Sequence, residues 1–217
     1  SAVSILLERQ QEELNMKNKN VNVRYLVTFS MLSAILIVMA TTPLGTLPIG
    51  PLSVSFIMIP VAITAITLGP VAGALMGGLF GIFSYLQCFG VGIPSAMGAV
   101  LVEINPFLAF VQRFVPRVLS GLLCGLVFKG TKKLTQESVA GYITGFSAAL
   151  FNTVFFMLSL VLLFGSTSYM KGLIGGDNIL IFICSFVGIQ AVVEMLIDCV
   201  VVGALAQVMS KLGKVRR

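Results

Sequence analysis

The chain has 217 residues, 57% of them hydrophobic and 10% charged, with a mean hydropathy of +1.03, a net charge of +6 and no histidine. A soluble domain of this size needs far more polar surface, and several apolar stretches reach the roughly 20 residues that cross a bilayer core of about 30 Å. This is an all-α, polytopic membrane chain without a histidine-dependent zinc-protease, haem or Ser-His site.

Residues 1–24 are polar. Met16 followed by KNKNVNVRYL reads as a plausible native start, with residues 1–15 expected to be an appended remnant. The first span is expected from about Arg24 to Thr42, ended by PLGTLPIGP (Pro43 to Pro51), whose three prolines and two glycines cannot continue a helix. A short second span covers about Leu52 to Leu68 and contains Pro60. Gly69-Pro70 turns into a third span, about Pro70 to Leu86, which carries Gly73, Gly77 and Gly81 four residues apart. Such a stripe lets another backbone approach closely, and two readings stand: packing within the bundle, or a sliding surface for a partner.

Residues 87–105 are expected to form a Gly/Pro-rich loop of moderate hydrophobicity, with either a helical or a re-entrant part. The fourth span begins at Pro106, carries Arg113 and Arg117, and reaches Phe128, and KGTKKLTQES reads as a polar turn. The fifth span is about Val139 to Phe164 with Asn152 near its centre. After a Gly-rich loop, the sixth runs from about Ile179 to Met209 with Glu194 and Asp198. The four cysteines show no CxxC spacing and read as small packing residues.

Charge bias orients the bundle. Lys17, Lys19 and Arg24 precede the first span, Lys129, Lys132 and Lys133 follow the fourth, and Lys211, Lys214, Arg216 and Arg217 follow the sixth. All three clusters share a side if there are six spans with both ends in the cytoplasm. The expected organisation is a cytoplasmic segment over 1–23, a six-helix membrane domain over 24–211 and a basic cytoplasmic tail over 212–217. The three longer loops then face outward, as a mouth or lid would.

Ionisable groups at membrane depth face the bundle interior and mark function. Arg113 and Arg117 share one helix face, as do Glu194 and Asp198. Arg117 is expected in a structural ion pair with Glu194 or Asp198. Arg113, roughly 10 Å below the outer end of its span at about 1.5 Å per residue, suits a carboxylate-bearing solute. Asn152 and Gln190 add directional hydrogen bonds at similar depth, and Asn105, Gln87 and Thr42 are further candidates near the outer side. No GxxxxGK[ST] loop is present, so the chain carries no ATPase of its own.

PLGTLPIGP, the Ile59-Pro60 pair, LGPVAGALMGGLFG, NPF at Asn105 to Phe107 and VPRVLSGLLCG at Val115 to Gly125 together resemble the substrate-binding S components of energy-coupling factor (ECF) vitamin transporters. The resemblance is strongest to the pantothenate-specific branch. It implies a non-catalytic subunit with no bound cofactor that takes a vitamin from outside under a lid between the first two spans. It also implies toppling against a membrane-embedded coupling protein, driven by two cytoplasmic ATPases that use ATP and Mg. The small-residue surface for that partner is Ser30-xxx-Ala34 where the family shows Ala-xxx-Ala, with Gly73, Gly77 and Gly81 beside it. Riboflavin, folate and pyridoxine-type vitamins stay open as substrates, as does a stand-alone transporter coupled to protons through Glu194 and Asp198. A channel or an intramembrane enzyme finds no motif.

Overall fold

The computed structural model describes residues 23–49, 52–174 and 179–215. Helix α1 (Val23–Thr41) leads into strands β1 (Thr46–Ile49) and β2 (Leu52–Ser55), then α2 (Met58–Leu68), α3 (Pro70–Leu86), a 3-10 turn at Gln87–Phe89, and α4 (Ala96–Ile104). There follow α5 (Pro106–Leu134), α6 (Glu137–Phe164), α7 (Ser168–Ile174) and α8 (Ile179–Val215). Among the described residues five helices are long and apolar enough to cross a membrane: α1, α3, α5, α6 and, within α8, Ala191–Met209.

The second span departs from expectation. Leu52 does not begin a helix but pairs with Ile49 in an antiparallel hairpin, with Thr46 opposite Ser55. The strands are separated by two residues, the shortest common hairpin connection. Gly45 sits so close to Met39 that a β-carbon would stand 2.6 Å from its carbonyl carbon. That close turn brings Phe56 N–H to the Gly45 carbonyl at 2.9 Å and closes the hairpin. The fold is therefore not wholly α. The helix that remains, α2, has 11 residues, about 16 Å of rise, and does not span a bilayer core alone. Pro60 falls in its first turn, where a missing N–H costs nothing.

The fourth span is longer than expected. α5 runs past Phe128 to Leu134, so the KGTKK segment is helix and Thr135-Gln136 alone separates it from α6. A polar run beyond the membrane does not end a helix, because lysine is a good helix former in water. Lys132 then bridges to Glu137 of α6 at 2.7 Å.

The glycine stripe of α3 packs inward, which corrects its assignment as a partner surface. Gly73, Gly77 and Gly81 are all buried. A β-carbon on Gly73 would stand 2.7 Å from that of Ala65, and one on Gly81 would stand 2.8 Å from the Phe114 Cα; at Gly77 it would strike the Arg117 carbonyl. The stripe is the seam between α3 and α5, and its opposite edge (Val71, Leu75, Ile82) is exposed. Ser30 and Ala34 do lie on the outer face of α1, the most peripheral span, with 11% of its apolar window buried against 56% for α3.

Two apolar clusters build the interior. The larger gathers Leu36, Ile57, Val61, Met76, Phe80, Cys124, Ala148 and Val202 from α1, α2, α3, α5, α6 and α8. The smaller gathers Met97, Leu101, Ala109, Met157, Phe164 and Met170 from α4, α5, α6 and α7. Along α5, the segment between Ala109 and Cys124 holds Gln112, Arg113 and Arg117; along α6, Asn152 lies between Ala148 and Met157. Buried polar side chains are thus set among apolar ones along both helices.

Candidate functional site

Arg113 and Arg117 are 7% and 5% exposed, and their setting starts from the backbone. Pro116 stands inside α5 and has no N–H to give the Gln112 carbonyl four residues earlier. Arg117 supplies the donor instead, its Nη1 reaching Gln112 O at 3.4 Å. Its Nη2 lies 3.5 Å from Ser84 Oγ on α3, the same hydroxyl that Arg113 Nη1 meets at 3.5 Å. Arg113 Nη2 donates to Ser95 Oγ at 3.0 Å. Ser95 is the N-cap of α4 and accepts from Gly98 N at 3.2 Å with its other lone pair. Gly98 has no room for a side chain: a β-carbon would stand 2.8 Å from Arg113 Nη2.

Aromatic faces complete the cage. Phe156 of α6 lies under both guanidiniums, with its ring centroid 4.4 Å from Arg117 Cζ and 5.2 Å from Arg113 Cζ; Phe80 lies 5.4 Å from Arg117 Cζ. Such contacts favour a desolvated guanidinium without neutralising it.

No carboxylate neutralises it either. Among the described residues no Asp or Glu lies within 4.0 Å of Arg113 or Arg117. The expected ion pair of Arg117 with Glu194 or Asp198 does not form. Glu194 instead accepts from the Ser55 N–H at the end of the hairpin, tying β2 to α8. Asp198 is fully buried and neither of its oxygens has a hydrogen-bond partner. The α5 arginines are engaged with serines and ring faces instead, and α8's upper acid with the hairpin. Glu103, the acid at the end of α4, is exposed.

The same stretch of α5 and α6 holds further unsatisfied groups, both heteroatoms of the Gln112 side chain, Asn152 Oδ1, Arg113 Nε and Arg117 Nε, and the hairpin adds Thr46 Oγ1 and Ser55 Oγ. Each such group costs about 1–3 kcal/mol when desolvated without a partner, so a concentration of them marks a place built to meet polar atoms from elsewhere.

The remaining sequence candidates have structural duties. Asn105 caps α5, its Oδ1 accepting from Phe107 N and Leu108 N at 3.1 Å each. Gln87 donates through Nε2 to the Ala40 carbonyl at 3.0 Å, fastening the 3-10 turn to the end of α1. Thr42 donates to Val38 O at 2.7 Å within its own helix end. The side chain of Gln190 lies outside the described residues, as do residues 1–22. Ser84, Ser95, Gln112 and Phe156 belong to the site without having been singled out in the sequence. For Gln112 a signal existed: it stands four residues before a mid-helix proline and beside a buried arginine. Among the described residues no group of three His, Cys, Asp or Glu side chains could hold a metal ion.

Comparison with known proteins follows the same lines. Residues 24–206 match the family model described as ECF transporter, substrate-specific component. Pantothenate transporter PanT of Leuconostoc mesenteroides subsp. mesenteroides is 30% identical over 203 residues, covering 88% of this chain and 94% of that protein. Pantothenic acid transporter PanT of Lactococcus lactis subsp. cremoris is 28% identical over 142 residues, covering 59% of this chain and 69% of that one. The solved structure of ThiT from Listeria monocytogenes superposes with a TM-score of 0.59 at 18% identity, over 88% of this chain and 97% of that one, and so shares the fold. With its buried, acid-free arginine pair set between membrane-spanning helices, the chain belongs to the substrate-specific components of ECF transporters.

Proposed function

We propose that this chain is the vitamin-binding subunit of an ATP-driven ECF importer and that its vitamin is pantothenate. The observation that carries the reading is the Arg113–Arg117 pair, buried together with no carboxylate within 4.0 Å among the described residues. Two buried cations that share one serine and no anion favour an anionic solute, because guanidinium and carboxylate form short, charge-assisted hydrogen bonds. Pantothenate offers a carboxylate for that pair and an amide and hydroxyls for Gln112 and Asn152. The named pantothenate transporters among its relatives support the same choice.

In this reading both chain ends sit in the cytoplasm, α2 with its hairpin completes a sixth crossing, and the hairpin is the lid over the outer mouth. Glu194 holds that lid through the Ser55 N–H. The loaded subunit then topples against the membrane-embedded coupling protein, with the outer face of α1 at Ser30 and Ala34 as the contact. ATP and Mg act on the two partner ATPases, and this chain has no catalytic role.

Calorimetry on the purified protein without ATP tests it. Pantothenate is expected to bind at submicromolar concentration, and panthenol, in which the carboxylate is an alcohol, far more weakly. Arg113→Ala is expected to cost pantothenate about 10- to 100-fold, the range of a hydrogen bond to a charged group, while leaving panthenol affinity nearly unchanged. Equal losses for both ligands would make Arg113 a structural residue.

A second reading rests on Asp198, whose buried carboxylate has no partner. It is a proton-coupled transporter needing no ATPase, with Glu194 and Asp198 as the proton site. Uptake driven by a proton gradient in vesicles holding this chain alone would select it.

A further inference from the structure

The opposite end of the bundle from the arginines carries a cleft of ≈ 760 Å³ between the α2–α3 turn and the last turns of α5. Its floor is rigid: Gly125 lets α5 approach so closely that a β-carbon there would stand 2.7 Å from Pro70 N and 2.9 Å from Pro70 Cβ. Gly69 makes the turn at φ +98°, a backbone that side-chain-bearing residues rarely adopt, and neither it nor Gly130 has an atom within 4 Å of where a β-carbon would stand. Both glycines therefore leave the walls open.

The lining has two characters. Leu68, Val71 and Phe128 form an apolar wall, and Lys129, Lys132 and Lys133 stand along its edge. Lys132 is engaged, by Glu137 at 2.7 Å and by the Phe128 ring at 5.6 Å. Among the described residues no carboxylate lies within 4.0 Å of Lys129 or Lys133. Two cations thus face an apolar cleft without a counter-charge. From its mouth the apolar wall continues through Val71 (69% exposed) to Leu75 (59%) and Ile82 (44%) along the outer flank of α3, a membrane-spanning helix.

We infer that this cleft is a binding site for one anionic phospholipid, its phosphate held by Lys129 and Lys133 and an acyl chain lying along Val71, Leu75 and Ile82. The match is one of shape and polarity. A phospholipid joins an anion to a long apolar chain, and the cleft joins cations to a long apolar flank. Juxtamembrane lysines contribute near an anionic surface even without a pocket; the pocket turns that diffuse attraction into a defined site. A soluble segment of a partner protein would satisfy the lysines but leave the α3 flank against lipid.

The test uses the full chain in a neutral detergent, with thermal unfolding and native mass spectrometry as readouts. Phosphatidylglycerol is expected to stay bound as a single molecule and to raise the midpoint by about 3 °C or more at saturation. Phosphatidylcholine and inorganic phosphate are expected to do neither. Replacing Lys129 and Lys133 by Gln is expected to weaken phosphatidylglycerol binding roughly fivefold per lysine, while Lys171→Gln, at the other end, changes nothing. Equal effects of phosphatidylcholine would overturn the site as mere solvation by lipid. Equal effects of inorganic phosphate would overturn the lipid assignment. Unchanged phosphatidylglycerol binding in the double variant would overturn the lysines' role, and so would that result together with loss of co-purifying transporter subunits, which would make the cleft a protein contact.

Discussion

At the scale of single residues, the site is paid for by polar atoms that the protein itself leaves unsatisfied. Gln112 is the clearest: fully buried, with neither side-chain heteroatom hydrogen-bonded. Its main chain and side chain serve different ends, since the carbonyl freed by Pro116 holds Arg117 while the amide is unengaged. Replacing Gln112 by Leu removes the unsatisfied atoms and nearly preserves the volume. The variant is expected to be more stable than the parent without ligand, by about 1–3 kcal/mol, and to bind pantothenate at least about tenfold more weakly. Thermal unfolding without ligand and calorimetry with it read the two halves. A variant that loses stability and keeps its affinity would place Gln112 in the packing instead. Gln112 escapes notice in the chain because a neutral amide in an apolar run has no spacing of its own. Arg113 and Arg117 are conspicuous there because a charge in a membrane span is costly.

At the scale of elements, the spacing of Gly73, Gly77 and Gly81 makes a smooth face legible but does not say what lies against it. Four-residue periodicity fixes a direction around a helix axis, and only the fold supplies the neighbour, here α5. The hairpin was hidden for a related reason. PLGTLPIGPLSVS carries so many turn residues that it reads as a loop followed by a span, whereas Leu52–Ser55 pairs back on Thr46–Ile49. Helix α3, by contrast, has the expected bounds, because Gly69-Pro70 combines a stop with a preferred first residue. The two small-residue surfaces should now separate by experiment. Gly77→Leu drives a side chain into the Arg117 carbonyl, should cost about 3 kcal/mol or more, and should abolish vitamin binding and accumulation of folded protein together. Ala34→Trp, on the outer face of α1, should leave vitamin binding intact and, if the proposed coupling protein and ATPases dock there, prevent their co-purification. Pull-down and calorimetry on the same samples distinguish these outcomes.

At the scale of the whole molecule, the basic end and the arginine end are differently built. One is closed by tight connections, Gly69 and Thr135-Gln136, and carries the lysines of α5. The other is capped by the hairpin, the 3-10 turn, α4 and α7. The alternation of long and short connections was visible in the chain; the enclosure of the buried polar groups by apolar clusters was not, since it depends on which depths of several helices coincide. That enclosure has an electrical consequence. Buried charged and hydrogen-bonding groups separated by apolar side chains form no continuous wire from one aqueous phase to the other, and the chain is expected to act as an insulator. Liposomes containing this chain alone are expected to hold an imposed pH gradient as long as protein-free liposomes, measured with an entrapped pH-sensitive dye, with or without pantothenate. Faster decay would speak for the proton-coupled reading. An insulating subunit can be made in excess over any partner that drives it without dissipating the ion gradients on which the rest of the membrane runs.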